Sequence, residues 1–169
     1  INRIDFEKIE SLKNEGFYGF VSVKSLLNNH SQIPTTRGVY MVLRTIMDEP
    51  IFLEKGSIGY FKGTDPNVAI KILQEKWVYN TPVVYIGKAG GKKNKTTLRS
   101  RILQYLKFGQ GKPVGHKGGR YIWQLNDSEE LLFCWKPLPT DEPEDVESML
   151  ISEFKHQYAG KRPFANLNK

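Results

Sequence analysis

Residues that form disulfides or bind zinc are scarce in this sequence, which has one cysteine and three histidines among 169 residues. A single cysteine, Cys134, excludes a disulfide framework, and the shortage of both residue types argues against a structural zinc site. No apolar run approaches the roughly 18 residues that a membrane-spanning helix needs. The first residues also lack the pattern of a signal peptide. We therefore expect a cytoplasmic protein with no membrane partner.

Acidic residues are missing from one long stretch of the chain. Between Tyr85 and Arg120 there are ten lysines and arginines, many glycines and no acid, within a chain of net charge +7. Nine of the eighteen acids lie instead between Asp127 and Glu153. A basic stretch can be a solvated face, but glycines allow close backbone approach and cations neutralise phosphates. The absence of any acid favours phosphate binding.

Hydrophobic periodicity and turn residues predict a single domain of helices and strands. The predicted helices cover residues 4–14, 22–27 (with Ser22 as the cap), 65–77, 97–108 and 143–158. The predicted strands cover residues 38–44, 83–87, 121–125 and 131–135. Two glycine-rich basic loops, 89–96 and 109–119, separate these elements.

The helix predicted over 143–158 carries a carboxylate on its apolar side. Leu150, Ile151 and Phe154 form an apolar stripe, and Glu147 lies three residues before Leu150, on the same side. A carboxylate at the stripe's edge near a helix start is favoured by the helix dipole. A buried carboxylate is costly unless it is paired or binds a cation. Glu147 is therefore either an edge residue or a metal ligand or acid.

The helix predicted over 97–108 presents two arginines at the edges of its apolar face. Arg101 lies one turn before Tyr105, so both side chains can face the same site. Arg99 flanks the opposite edge of that face. Either arginine can extend to solvent along its aliphatic stem, so periodicity does not choose between them.

Two tripeptides and three later residues resemble the GIY-YIG nuclease family. They are Gly38-Val39-Tyr40, Tyr85-Ile86-Gly87, and then an arginine, a glutamate and an asparagine in that order. The segments 84–89 and 98–105 are similar to the family's excision-repair nuclease domain. Glu147-Ser148-Met149-Leu150-Ile151 is similar to its Glu-x-x-Leu-Ile, and Pro163-Phe164-Ala165-Asn166 to its Pro-x-x-Asn ending. The resemblance extends from about Gly38 to Asn166.

The resemblance implies an α/β (α+β) fold, with a small central, mostly antiparallel β-sheet flanked by helices. It implies a DNA endonuclease that uses one divalent ion, Mg²⁺ or Mn²⁺, held by Glu147. The implied active-site residues are Tyr40, Tyr85, Lys88, Arg101, Tyr105, Glu147 and Asn166. If the protein makes double-strand breaks, we expect a homodimer, because each chain has one site.

The family pattern also suggests a role for each of these side chains. Arg101 would hold the phosphate and counter the charge of the transition state. One view of the family makes Tyr40 the general base, with Lys88 or the metal lowering its pKa. Tyr85 and Tyr105 would then position water and phosphate. Asn166 would be a structural anchor or a hydrogen bond into the site.

The chain departs from the family mainly between the two tripeptides. Family members commonly join them by a short turn, whereas here residues 45–82 intervene. We expect these residues to be an insertion in a single nuclease domain, preceded by a helical arm at 1–36. The first tripeptide also has valine in place of isoleucine, which is a mild change.

The basic loops and the helix between them are expected to contact DNA. The predicted nucleic-acid-binding residues are Lys92, Lys93, Lys95, Arg99, Lys107, Lys112, His116, Lys117 and Arg120. His116 fits a loop or DNA contact better than a metal ligand, since no other histidine or cysteine lies near it in the sequence.

Other functions fit parts of the sequence. Glu153-Phe154-Lys155 matches the Glu-x-Lys of restriction-type nucleases, but that motif belongs on a strand and here it falls on a predicted helix. A His-Asn-His nuclease needs more histidines. A non-catalytic nucleic-acid-binding module would use the same basic loops, and an interaction protein could use the acidic segment 127–153. Neither of the last two explains Tyr40, Tyr85, Arg101 and Glu147 together.

Overall fold

A computed structural model describes residues 4–58, 65–112 and 118–167. This part of the chain contains five α-helices: α1 (Ile9–Asn14), α2 (Val23–Asn28), α3 (Ile70–Lys76), α4 (Leu98–Gly109) and α5 (Pro143–Gln157). It contains four strands: β1 (Tyr18–Ser22), β2 (Gly38–Leu43), β3 (Val83–Ala89) and β4 (Leu132–Pro137). No helix within these ranges is long and apolar enough to cross a membrane.

The four strands form one antiparallel sheet in the order β1-β4-β2-β3. Every residue of β2 is buried, which explains why its sequence is a continuous apolar run rather than an alternating one. Strand β3 lies at one edge of the sheet. The expected α/β fold, with a small antiparallel sheet flanked by helices, is confirmed.

Helices cover both faces of the sheet, and each face has its own apolar cluster. Tyr40 and Val42 of β2 belong to the cluster on the α4 side. The alternate residues Val39, Met41 and Leu43 belong to the cluster on the α5 side. Because side chains alternate along a strand, β2 and β3 supply residues to both clusters.

Three predicted elements differ from the structure, at residues 121–125, 65–77 and 4–14, and the expected helical arm at 1–36 also contains strand β1, which pairs with β4. The strand predicted over 121–125 is a 3-10 helix, Arg120–Gln124. Its last residue, Gln124, is fully buried, and its amide bonds the backbone of Leu53 and Val68. These tertiary hydrogen bonds hold the segment as a turn against the insertion, although its apolar residues favour a strand.

The helix predicted from residue 65 begins five residues later, at Ile70. Asp65 accepts hydrogen bonds from the backbone and side-chain nitrogens of Asn67, whose own side chain accepts from Gly56. Such local side-chain bonds compete with the helix for backbone groups. Helix α1 is also shorter than predicted, since it starts at Ile9 rather than at residue 4. The predicted Ser22 cap is confirmed by its bond from the Ser25 amide.

Candidate functional site

The two tripeptides place a pair of tyrosines on neighbouring strands. Tyr40 of β2 pairs in register with Gly87 of β3, and Val42 pairs with Tyr85. The tyrosines are therefore diagonal neighbours on one face of the sheet, with ring centroids 6.0 Å apart. A Cβ at Gly87 would lie 2.6 Å from Cζ of Tyr40 and 2.7 Å from Cε2 of Tyr85. The glycine of the second tripeptide thus makes room for both rings.

The first tripeptide needs its glycine for a different reason. A Cβ at Gly38 would overlap the carbonyl oxygen of Lys136 on the adjacent strand β4. A larger residue at this position would therefore push β2 away from β4. Both glycines are explained by strand packing around the tyrosine pair.

The hydroxyls of the two tyrosines are hydrogen-bonded to each other, which raises the pKa of Tyr40 and lowers that of Tyr85. Burial is the largest influence on both: it raises the pKa of Tyr40 well above its usual value and is the main cause that takes that of Tyr85 to about 12. Tyr40 is 1% exposed and Tyr85 is 8% exposed. Tyr85 is thus the member of the pair nearer to solvent.

Helix α4 brings Arg101 to this pair. The helix begins with a capping box, in which Thr97 and Ser100 each bond the other's backbone amide, and this cap sets the helix register. The positive charge of Arg101 lowers the pKa of both Tyr40 and Tyr85. Its Nη1 donates to Oε1 of Gln104 over 3.2 Å.

The other arginine of α4, Arg99, forms its hydrogen bonds with a loop and not with the tyrosine pair. Nε of Arg99 donates to the carbonyl of Ile33 over 2.9 Å, and its Nη2 donates to the carbonyl of Ser31 over 2.5 Å. Arg99 therefore braces the loop that follows α2. The two arginines, which periodicity treats alike, are separated by their tertiary contacts.

Tyr105 lies beneath the tyrosine pair rather than at the surface. It is fully buried, its ring centroid is 5.4 Å from that of Tyr85, and its hydroxyl donates to the carbonyl of Gly119. Burial raises its pKa well above the usual value. The side chain points into the core, so Tyr105 contacts the ring of Tyr85 and not solvent. Tyr105 supports the ring of Tyr85 from behind.

Helix α5 supplies the carboxylate. Glu147 is 7% exposed and lies with Leu150, Ile151 and Phe154 on the buried side of the helix, as its spacing predicted. Its negative charge raises the pKa of both Tyr85 and Tyr40. Tyr85 thus experiences Glu147 and Arg101 together. Four elements, β2, β3, α4 and α5, converge at one position.

Lys88 follows the tyrosine pair on β3 but belongs to the α5 side of the sheet. Its Nζ is 3.7 Å from Oε1 of Glu144, and about a third of its side chain is exposed. The charge that lowers the pKa of the tyrosines is that of Arg101. Lys88, one of the two groups expected to lower the pKa of Tyr40, forms this ion pair instead.

Asn166 anchors the tail of the chain to the outer edge of β3. Its Nδ2 donates to the carbonyl of Ile86 over 2.9 Å, and its Oδ1 accepts from the amide of Ile86 over 3.0 Å. The amide of Ala165 also donates to the carbonyl of Val84. The tail therefore binds the edge strand as another strand would, and this fixes β3 next to Gly87.

The predicted DNA-binding residues differ in their exposure and in their contacts. Lys92, Lys93, Lys95, Lys107 and Lys112 are exposed. The backbone amide of Lys92 donates to Oε1 of Glu142, next to the start of α5, so this loop lies near the carboxylate helix. His116 and Lys117 lie outside the described residues.

Three cations surround a cavity next to the site, and only one of them, Arg120, was predicted. The other two are Lys76 and Arg162. No motif singles them out, because one lies in the insertion and the other in the tail.

The acidic ligands available for a metal ion are few. The described residues contain no group of three or more histidines, cysteines, aspartates and glutamates that could hold a metal. Among the same residues, Glu147 is the carboxylate placed with the tyrosines and Arg101. Such a site fits Mg²⁺, which keeps several waters and binds through one or two carboxylates and substrate phosphates. It does not fit zinc, which needs three or four protein ligands.

Comparison with known proteins leaves the site to be interpreted by its own chemistry. No family model matches this chain, and no curated protein or solved structure matches it. The functional assignment therefore depends on what Tyr40, Tyr85, Arg101 and Glu147 can do together.

Proposed function

We propose that this protein is a metal-dependent endonuclease that hydrolyses DNA phosphodiester bonds through a GIY-YIG active site. One observation carries the proposal: a buried carboxylate and a guanidinium act electrostatically on the same hydrogen-bonded pair of phenols. A module that only binds DNA has no use for a buried carboxylate next to buried tyrosines, because each costs desolvation energy. A phosphodiesterase uses all of these groups.

Glu147 is the residue that would hold the divalent ion, Mg²⁺ or Mn²⁺. When bound, the ion would neutralise charge on the scissile phosphate and on the leaving oxygen. Glu147 is nine-tenths buried, so its carboxylate is held in one place by the packing of α5. A single fixed carboxylate leaves the remaining coordination positions for water and phosphate oxygens.

Arg101 binds the non-bridging oxygens of the scissile phosphate. A guanidinium presents its N–H groups as a planar fork that matches two phosphate oxygens. Only Nη1 has a side-chain acceptor, Gln104, among the described residues. The side chain is partly exposed, so its remaining donors can meet a substrate. This charge acts most strongly when the phosphorus becomes pentacoordinate and its oxygens gain charge.

Tyr85, rather than Tyr40, accepts the proton of the attacking water. Tyr85 is the more exposed of the two. Burial and then Glu147 raise its pKa to about 12, while Arg101 and the hydrogen-bond interaction with Tyr40 act to lower it. Tyr40 is fully enclosed, and its hydrogen-bond interaction lowers the pKa of Tyr85, so Tyr40 stabilises the Tyr85 phenolate. Glu147 raises the pKa of Tyr85. A cation that neutralises the charge of Glu147 would therefore lower the pKa of Tyr85, so that Tyr85 could act as a base at lower pH.

The proposal is tested by incubating the full chain with supercoiled plasmid and with branched DNA, with Mg²⁺, Mn²⁺ or a chelator. We expect nicked product with either ion and none with the chelator. Linear product formed without a free nicked intermediate would indicate a dimer that cuts both strands. End mapping then identifies the strand positions that are cut.

Two glutamates of α5 give a matched pair of variants. Glu147→Gln should abolish nicking while DNA binding without metal remains, because glutamine keeps the shape and loses the charge. Glu153→Gln should leave nicking intact, since Glu153 lines a different cavity with Ile4 and His156. Nicking that persists in Glu147→Gln, or wild-type protein that binds DNA and never cuts it, would overturn the proposal.

A further inference from the structure

A cavity of about 340 Å³ lies beside the candidate active site, and the charged residues that line it are all cationic. They are Lys76 at the end of α3, Arg120 in the 3-10 helix and Arg162 in the tail. These residues are far apart in the sequence and come from three separate elements. We refer to Lys76, Arg120 and Arg162 as the cation cradle.

Aromatic packing holds the three elements of the cradle together. Each cation lies one or two residues from an aromatic side chain, and these side chains meet at Phe164. The ring of Trp77, next to Lys76, is 5.0 Å from that of Phe164, and the ring of Tyr121, next to Arg120, is 5.8 Å from it. Phe164 itself follows Arg162 by two residues and is 2% exposed. The packing of Phe164 therefore brings the three segments that carry these cations to one cavity.

The cradle adjoins the tyrosine pair. Gly118 lines the cavity, and a Cβ placed there would lie 3.0 Å from the hydroxyl of Tyr85. Asn166 also lines it while bonding the backbone of Ile86, the middle residue of the second tripeptide. A ligand in the cavity would therefore lie next to the group that we propose as the base.

The side chains of the cation cradle have N–H donors that no acceptor uses within the described residues. Within the described ranges none of the three forms an ion pair with a carboxylate. Nε of Arg120 is buried and has no acceptor in the same part of the chain, which is costly for a guanidinium that cannot lose its proton. Arg162 uses Nη1 to donate to the carbonyl of Leu167, and Lys76 is exposed.

A second cavity of about 220 Å³ shares Lys76, Arg162 and Asn166 with the first and adds Lys161 together with one acid, Glu75. Cations spread over two cavities that share lining residues match the spaced charges of a nucleic-acid strand.

We propose that the cation cradle binds a backbone phosphate of the DNA strand, beside the phosphate that is cut. The inference rests on the proposed function, because it takes DNA as the substrate. It gives the insertion a role: Lys76 brings a phosphate contact from residues 45–82 to the edge of the active site. Phosphate contacts of this kind set the register of the strand without reading its sequence.

The test measures affinity of the full chain for a fluorescent duplex across a range of salt concentrations, with a chelator present so that nothing is cut. Lys76→Gln and Arg162→Gln should each weaken binding about threefold to tenfold at moderate salt. Each should also reduce the steepness of the log–log salt dependence by about 0.9, the value for a single bound phosphate. Lys71→Gln is the matched control, since Lys71 is exposed on the same helix and lines neither cavity. It should leave both the affinity and the slope unchanged.

The outcomes separate this inference from the nuclease proposal. DNA binding with the wild-type slope in Lys76→Gln and Arg162→Gln would overturn the cradle and leave the nuclease intact. A reduced slope in both, with plasmid that is never cut, would support the cradle and overturn the catalytic proposal. Protein that binds no DNA at all would overturn both. Lys76→Gln keeps the test valid if Arg162→Gln unfolds, because the side chain of Lys76 is exposed and glutamine fits there without repacking the core.

Discussion

Tyr40 and Tyr85 lie diagonally across two paired strands, with ring centroids 6.0 Å apart and with Gly87 directly opposite Tyr40. The glycine is the reason that both rings fit on one face of the sheet. Its missing side chain leaves the space into which Tyr40 and Tyr85 extend. Because Tyr40 is fully enclosed and Tyr85 is nearer to solvent, Tyr85 is the stronger candidate for the base.

Gly87→Ala should damage this arrangement directly. The new Cβ would meet Cζ of Tyr40 at 2.6 Å, so a ring or a strand must move. We expect a loss of about 1–3 kcal/mol in the free energy of unfolding, the usual cost of overpacking, and a large loss of nicking activity. Urea unfolding, monitored by tryptophan fluorescence, measures the change in the free energy of unfolding. Unchanged stability and activity would mean that the rings do not occupy this space.

The pKa of Tyr85 should respond in opposite directions to its two charged neighbours. Loss of the Glu147 charge in Glu147→Gln should lower it, because a carboxylate disfavours the phenolate. Loss of the guanidinium in Arg101→Ala should raise it, because a cation favours the phenolate. The change can be followed by ¹⁹F NMR on protein with 3-fluorotyrosine at position 85, whose fluorine brings the titration to lower pH. Shifts of the same sign in both variants would show that the residues are not arranged around Tyr85 as described.

The pH dependence of cleavage follows from the same pKa. The wild-type pKa of Tyr85 is about 12. At any pH well below that value, the phenolate fraction increases about tenfold for each unit by which the pH is raised. We expect the single-turnover rate to rise with pH between about 7 and 9 at fixed metal concentration. A rate that is flat over this range would exclude Tyr85 as the base.

Arg101 and Arg99 should have different effects when each is replaced by alanine. Arg101→Ala should lower the single-turnover nicking rate at least ~100-fold, the scale for losing one preorganised charge-stabilising donor. Lysine should restore it poorly, because it lacks the bidentate fork. The rate is measured at saturating protein, so that weaker binding does not affect it.

Arg99→Ala is the control for that measurement. It removes hydrogen bonds to the carbonyls of Ser31 and Ile33, so we expect a loss of about 1.5–3 kcal/mol in stability. Its nicking rate should stay within about tenfold of wild type at a temperature where the protein is folded. If Arg99→Ala abolished the rate and Arg101→Ala did not, the register of α4 would be wrong by two residues.

The lysines of the first basic loop should account for part of the salt sensitivity of DNA binding. Replacing Lys92, Lys93 and Lys95 with glutamine should weaken binding at low salt and flatten the log–log salt dependence, by roughly 0.9 for each phosphate that the variant no longer neutralises. A variant with Lys8, Lys24 and Lys71 changed to glutamine loses the same net charge from exposed positions in other elements. It should keep most of the wild-type slope. Equal slopes in the two triple variants would indicate that only net charge matters.

Much of the secondary structure follows from local sequence. The strand containing Tyr40 is a continuous apolar run because β2 is buried on both faces, and that pattern is readable without a structure. The burial of Glu147 follows from its spacing to Leu150, since helical periodicity determines which side chains share a face. The cap at Ser22 is also a local matter, decided by a side chain and an amide three residues apart.

Other features were decided only by residues distant in the chain. Arg99 and Arg101 occupy equivalent edges of one helix face, and the carbonyls of Ser31 and Ile33 decide which of them is free to meet the tyrosines. The segment 120–124 has the composition of a strand, but the buried amide of Gln124 bonds Leu53 and Val68 and holds it as a 3-10 helix. The cation cradle exists because Trp77, Tyr121 and Phe164 pack together. Periodicity reports which face of an element is buried, whereas the identity of the partner on that face depends on long-range packing, which no local pattern contains.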